Sequence, residues 1–276
     1  MQGAGESPII RVENVQKIFY VARTRQTVQA VESADLQIYR GEFLSIVGPS
    51  GCGKSTLLNM IAGLEQPTAG RITMEGKPVL GPSADRGMCF QEYALFPWKT
   101  VWENVAFGLR YGPKGAGCSK QALNDTVRCF IDLVSLTGSE SKYPHELSGG
   151  MRQRCALARL FAYDPTVLLM DEPLAAVDAQ TRIVLQEELL RIWGQEALPA
   201  NQRKTVVYVT HAIEEAVFLS DRVAIMSSQP AHTREVVVID LPRPRTAAVR
   251  GEPRFRALTD QIWGLIRDEA YRATLR

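Results

Sequence analysis

The sequence contains no stretch near the roughly 20 apolar residues that a membrane-spanning helix requires. Its first residues, Met1 to Pro8, have neither the basic start nor the apolar centre of a secretory signal. Five cysteines (Cys52, Cys89, Cys118, Cys129 and Cys155) are an odd number without CxxC spacing. They read as reduced thiols rather than a disulfide or zinc framework. No internal repeat doubles the pattern described below. The net charge of +2 leaves no strong field to attract nucleic acid. A cytoplasmic protein is expected, with any membrane role coming through a partner. At 276 residues the chain has room for one large α/β domain or a domain carrying an inserted subdomain.

Between Ile9 and Ile38 short β-type runs (Ile9–Val12, Val28–Val31, Leu36–Ile38) alternate with polar turns, which suggests a small, partly antiparallel sheet. From Phe43 onward the runs are apolar on both faces: Phe43–Val47, Gly87–Phe90, Val167–Met170 and Thr205–Val209. Strands of that kind belong in a buried parallel sheet covered by helices. Between about Ala94 and Glu146 the β signal fades. Helical spacing covers Val101–Tyr111 and Lys120–Leu136, with Leu123, Val127, Phe130 and Val134 as one stripe and a Gly112–Gly117 turn between the two segments. A helical subdomain, about 94–146, inserted into an α/β cassette of 9–240 is the natural reading, with 241–276 as a C-terminal extension. Leu198–Gln202 reads as a surface loop. The arginines of the extension (Arg243, Arg245, Arg250, Arg254, Arg256) read as a solvated face, with attraction to anionic lipid headgroups as the alternative.

The chemistry concentrates at strand ends. Gly48-Pro49-Ser50-Gly51-Cys52-Gly53-Lys54-Ser55-Thr56 fits G-x-x-x-x-G-K-[ST] between a buried strand and a helix. Its glycines let backbone N–H groups turn toward phosphate oxygens, and the helix N-terminus adds positive potential. Lys54 would neutralise the β- and γ-phosphates and the Ser55 hydroxyl would ligate Mg²⁺. Cys52 inside this loop is a candidate target for thiol reagents. Asp171-Glu172 closes the most apolar strand and would face the crevice where α/β sheets bind ligands. Asp171 is the candidate Mg²⁺ holder through water, and Glu172 the candidate general base. The plain alternative is an acidic helix start before Pro173. Gln91 and His211 also follow apolar strands. Gln91 would hold Mg²⁺ or orient water, and His211 would bond the γ-phosphate, although each alone could be an ordinary surface residue. Finally, Leu147-Ser148-Gly149-Gly150-Met151-Arg152-Gln153-Arg154 places an N-cap serine and two glycines before a helix running to about Tyr163. On physical grounds alone this is equally a second anion site or a capped helix.

The motif LSGGMRQR resembles the signature of the ABC ATPases, and the family's other elements match in order. An aromatic fits at Phe19, followed by the phosphate loop, Gln91, VLLMDEP, a Leu174-Ala175-Ala176-Val177-Asp178 segment and the switch position His211. The resemblance covers essentially residues 9–230. It implies a P-loop NTPase core that hydrolyses ATP with Mg²⁺ and works as a head-to-tail dimer, expected to be a homodimer. Phe19, or Tyr20 in its stead, would stack on adenine. Ser148, Gly149 and Gly150 would meet the ATP held by the second subunit, and Asp178 would belong to the nucleotide site. Two departures stand out: Val177 where the family has leucine, and Ala212 where aspartate commonly follows the histidine.

Asp85–Met88, Phe90–Trp98, Tyr143–Leu147 and Ile262–Arg267 are similar to the nitrate/sulfonate/taurine importer branch. The partners so implied are transmembrane permease subunits, met through Phe96-Pro97-Trp98, and indirectly an extracytoplasmic substrate-binding protein. The expected location is peripheral, on the cytoplasmic face of the inner membrane, without nucleic acid. An importer for a thiamine precursor or an amine is the alternative. A soluble ABC protein of translation or DNA repair is disfavoured by the single cassette, and a GTPase by the missing N-K-x-D motif.

Overall fold

The computed structural model describes residues 7–23, 25–112, 119–194 and 203–274, except for the side chains of 268 and 270–274. The Gly112–Gly117 turn beyond its first residue, Cys118, the Leu198–Gln202 loop and most of Met1 to Pro8 lie outside these residues. Numbered along the chain, the strands are β1 Ile10–Val21, β2 Gln26–Ile38, β3 Phe43–Val47, β4 Ala69–Met74, β5 Lys77–Pro78, β6 Arg86–Cys89, β7 Val167–Asp171, β8 Thr205–Val209, β9 Arg222–Met226 and β10 Ala231–Val238. The helices are α1 Lys54–Ala62, α2 Val101–Tyr111, α3 Lys120–Leu133, α4 Gly149–Tyr163, α5 Ala179–Trp193, α6 Ile213–Leu219 and α7 Pro253–Thr274. The chain divides into two units, Met1–Ser83 with Trp193–Arg276, and Ala84–Ile192.

In the first unit the expected short N-terminal runs merge into one long hairpin, pairing Ile10 with Ile38 and Val21 with Gln26. The polar Glu13-Asn14 and Gln16-Lys17 pairs, which follow the predicted Ile9–Val12 run, are strand residues. Register shifts flank Val15, and Asn14 sits at φ 48, so a bulge absorbs the interruption without ending the strand. β1 also pairs antiparallel with β4, and β4 with β5. The expected antiparallel sheet is therefore present, with β4 and β5 unforeseen.

The parallel centre of this unit is β3, flanked by β8 and β9. Every residue of β3 and β8 is buried, as helix-covered parallel strands require. β10 pairs antiparallel with β9 and briefly parallel with β2, joining the hairpin to the centre. The strand order is β5-β4-β1-β2-β10-β9-β3-β8. At the start of β3, Phe43 packs 5.9 Å edge-on to Trp193 and 5.9 Å from Tyr208. Phe255, Leu258 and Ile262 of α7 are buried at helical spacing, and α7 packs on α6.

In the second unit β6 and β7 pair parallel, Cys89 beside Met170. α2 starts with a capping box, the Thr100 hydroxyl accepting from the Glu103 amide at 3.2 Å. α2 packs on α4 where Gly108 stands, since a Cβ there would lie 2.3 Å from the Arg159 carbonyl oxygen. α3 corrects the expected stripe in two ways. It ends at Leu133 rather than Leu136, and Ile131 rather than Phe130 is the residue buried with Val127. Four-residue steps hold one helix face better than the three-residue step to Phe130.

Arg254 and Arg256 of the extension are exposed as expected, but Arg243, Arg245 and Arg250 are not part of a solvated face. Arg245 is 2% exposed, Arg243 bonds Asp221 at 2.9 Å, and Arg250 lies 4.4 Å over the Phe218 ring. Arg254 is exposed and paired with Asp240 at 2.7 Å. Among the described residues, no helix is long and apolar enough to cross a membrane.

Candidate functional site

The first unit carries the phosphate loop at the C-terminal end of β3. Gly53 precedes α1 at φ +102, a conformation side chains disfavour, and a Cβ there would lie 2.7 Å from the Ala30 carbonyl oxygen. Gly48 is constrained by space instead, since a Cβ would meet the Met226 carbonyl oxygen at 2.6 Å. Lys54 is buried with its Nζ donating to the Gly48 and Pro49 carbonyls at 2.9 and 2.8 Å. The charge thus lies inside the loop, beside amides of the first turn that have no intrahelical acceptor. Ser50 and Gly51 are exposed, and Ser55 and Thr56 are half-buried. Gln229, which the sequence gave no reason to select, donates from Nε2 to the Gly51 carbonyl at 2.7 Å.

Cys52 is 1% exposed, and burial raises its thiol pKa against the opposing influence of Lys54. The loop thiol is therefore a poor nucleophile, contrary to its reading as a reagent target.

His211 leaves β8 beside the loop's strand: Ile46 pairs with Val209, and the Thr210 amide donates to the Ile46 carbonyl at 3.2 Å. Both features therefore emerge at the C-terminal edge of neighbouring parallel strands. His211 is exposed, and its successor Ala212 is the N-cap of α6, with no side-chain cap of its own. Thr210 takes over that task. Its hydroxyl accepts from the Ala212 amide at 3.0 Å and donates to Glu215 Oε2 at 2.6 Å.

Phe19 is half-buried on the outer half of the hairpin, opposite Val28, with Lys17 Nζ 4.8 Å above its ring. Tyr20 is its exposed neighbour in regular pairing, so the two rings point to opposite faces. Tyr20 therefore cannot simply stand in for Phe19.

The second unit gathers the remaining residues. Asp171 ends β7 buried, and Glu172 follows at φ 46 in the left-handed region. Gln91 lies just beyond the parallel neighbour β6, exposed. An open groove of about 550 Å³ is lined by Gln91, Tyr93, Gln153, Ala175 and Ala176 among others. Gln153 holds this region together. At 1% exposure it donates from Nε2 to the Glu172 carbonyl at 2.9 Å and accepts the Ala176 amide on Oε1 at 2.9 Å. It stands in the quoted LSGGMRQR segment, yet only the fold reveals that it bridges the turn after Asp171.

The LSGG segment is a capped helix start. The exposed Ser148 hydroxyl accepts from the Met151 amide at 3.3 Å, and Gly149 and Gly150 open α4 half-buried. A Cβ on Gly150 would come 3.1 Å from the Ala176 carbonyl oxygen. Asp178 caps α5, accepting the Thr181 amide at 2.9 Å, and the Thr181 bonds hold its carboxyl below the usual range. Val177 is buried without the extra methylene of leucine.

A further cavity of about 330 Å³ in this unit is lined by aromatic and apolar side chains with Arg86 and Arg159. The Phe96 ring lies tilted 4.6 Å from Phe107, and Phe107 lies 4.5 Å from Tyr111. Trp98, 5.8 Å from Phe96, remains 69% exposed.

Residues 31–175 match the family model described as ABC transporter. An uncharacterised ABC transporter ATP-binding protein of Methanocaldococcus jannaschii is 47% identical over 96% of this chain and 93% of its own. A nitrate import ATP-binding protein of Synechocystis is 42% identical, covering 94% and 95%. An aliphatic sulfonates import ATP-binding protein of Bacillus cereus is 44% identical, covering 86% and 88%. Among solved structures, a dimeric ATP-binding cassette in a post-hydrolysis state, bound to ADP and Pi, superposes with a TM-score of 0.73. It is 29% identical, over 84% of this chain and all of that one.

Proposed function

We infer that this chain, which belongs to the ABC transporter family of ATP-hydrolysing cassettes, powers an importer for a small anion such as nitrate, taurine or an alkanesulfonate. The observation carrying this reading is the near full-length likeness to nitrate and aliphatic sulfonate import proteins. An importer for a thiamine precursor or an amine is the alternative within the same family. The reading takes residues 9–240 as the cassette, about 94–146 as its helical insert and 241–276 as an extension.

Lys54 and the loop amides of Gly48 to Thr56 bind the ATP phosphates, and Phe19 stacks on adenine. Glu172 accepts a proton from the water that attacks the γ-phosphorus, releasing ADP and phosphate. Gln91 orients that water and His211 bonds the γ-phosphate. The strained Glu172 backbone, with its carbonyl held by Gln153, supports this assignment because it fixes where the carboxylate starts. Mg²⁺ suits the donors Ser55, Gln91 and Asp171, which are all oxygen. Among the described residues no group of three or more His, Cys, Asp or Glu offers a metal cage, and Mg²⁺ binds through few protein ligands, waters and phosphates. When bound it would neutralise phosphate charge.

The likeness to a dimeric cassette supports a dimer in which Ser148, Gly149 and Gly150 meet the nucleotide of the second subunit, with Asp178 belonging to the nucleotide site. Loss of the γ-phosphate contact then favours the open dimer. The exposed Trp98 beside an aromatic-lined cavity supports a permease-docking role for Phe96-Pro97-Trp98, since such anchors dominate interfaces. That places the chain peripherally on the cytoplasmic face of the membrane, with the extracytoplasmic binding protein reached only through the permease.

Cells lacking this chain are expected to lose uptake of nitrate, taurine or an alkanesulfonate, measured with labelled anion, and to regain it when the chain is restored. Unchanged uptake of all three would remove the anion reading and leave the ATPase intact.

A further inference from the structure

A helix leaves its last carbonyls without intrahelical donors, and in α6 two arginines from the extension supply them. Arg245 Nη1 donates to the carbonyls of Val217, Phe218 and Ser220 at 3.1, 3.1 and 2.7 Å. Arg243 Nη2 donates to the Leu219 carbonyl at 2.8 Å. Each carbonyl from Val217 to Ser220 is thus met by a guanidinium, at the helix end where positive charge is favoured. Arg245 Nη2 also donates to Ile239 and Leu241, at 3.4 and 3.2 Å. One buried planar fork therefore joins two chain segments, a geometry that a single ammonium cannot reproduce. Arg243 is braced by Asp221 at 2.9 Å and by the Trp193 ring, 4.2 Å away. At its other end α6 is tied by Thr210 and Glu215, the residues around His211.

We propose that Arg245, with Arg243 beside it, is a positioning residue for His211, clamping α6 to the 239–245 segment so that the turn carrying the histidine, just before the helix, is held in place. The proposal rests on the reading of His211 as a γ-phosphate contact. α6 has only seven residues, too few to hold a helix by its own backbone bonds, so it depends on what is tied to its two ends and packed on its buried face.

The test measures ATP hydrolysis by the full-length chain, with its copurifying permease, for Arg245→Met and Arg245→Lys, alone and combined with His211→Ala. Arg245→Met should lower kcat about tenfold with KM for ATP within about twofold, and should add little to His211→Ala, because coupled residues are non-additive. Arg245→Lys should recover part of the loss. Losses that multiply with those of His211→Ala, or kcat and KM changing together, would mean that Arg245 only stabilises the fold. Normal kcat in His211→Ala would instead remove the role of His211. The clamp itself is then judged by hydrogen exchange of the wild-type protein, which also decides the matter if the variants do not fold. Amides of residues 213–220 and 239–245 should open together at one free energy, and independent opening would overturn the clamp.

Discussion

Glu172→Gln should bind ATP as the parent chain does but hydrolyse it about 10²–10⁴-fold more slowly, the usual contribution of a general base. The substitution is nearly isosteric and leaves the backbone anchor in place, because Gln153 holds the Glu172 carbonyl rather than its carboxylate. Binding and turnover are therefore expected to separate. With ATP no longer consumed, the nucleotide should hold two subunits together, seen as an ATP-dependent shift from monomer to dimer in size-exclusion chromatography with light scattering. Turnover within a few-fold of normal would assign the base elsewhere.

Lys54→Ala should fail at the earlier step. The ammonium lies within the loop, held by the Gly48 and Pro49 carbonyls, so its removal takes away an internal brace together with the proposed phosphate partner. ATP affinity is expected to fall about 100-fold or more, as for loss of charge-assisted bonds worth about 3 kcal/mol. Equilibrium binding of a fluorescent ATP analogue reads this directly. Equal affinity for Lys54→Ala and parent would contradict the phosphate role. The two variants should fail differently, one in binding and one in turnover.

What could be read from the sequence follows from how local each signal is. β3 and β8 were visible because burial on both faces demands an unbroken apolar run. The phosphate loop and the LSGG helix start were visible because their glycines and caps act within a few residues. The long hairpin was not, because a bulge at Asn14 lets polar residues continue a strand that composition alone would end. Nor were the residues that hold the site in place. Gln153 reaches a turn 19 residues away and Gln229 a loop 178 residues away, so their purpose exists only once the chain is folded. The extension departs from its composition for a related reason. Arg245 has the composition of a solvated surface but finds carbonyls up to 28 residues away, and only that network makes burial of its charge tolerable.

The departure at Ala212 shows a local loss met nearby. Without an aspartate at that N-cap, the Thr210 hydroxyl accepts the Ala212 amide instead. The turn after β8 keeps that hydrogen bond, with His211 between the two residues.

A cassette that drives a membrane transporter should bring its permease along, and affinity purification of the chain from its own membranes in gentle detergent, beside a Trp98→Ala variant, reads this. A polytopic permease should copurify with the parent chain and be depleted with the variant. Recovery of the parent chain alone, or with ribosomes or DNA, would contradict the transport account while leaving the ATPase assignment in place.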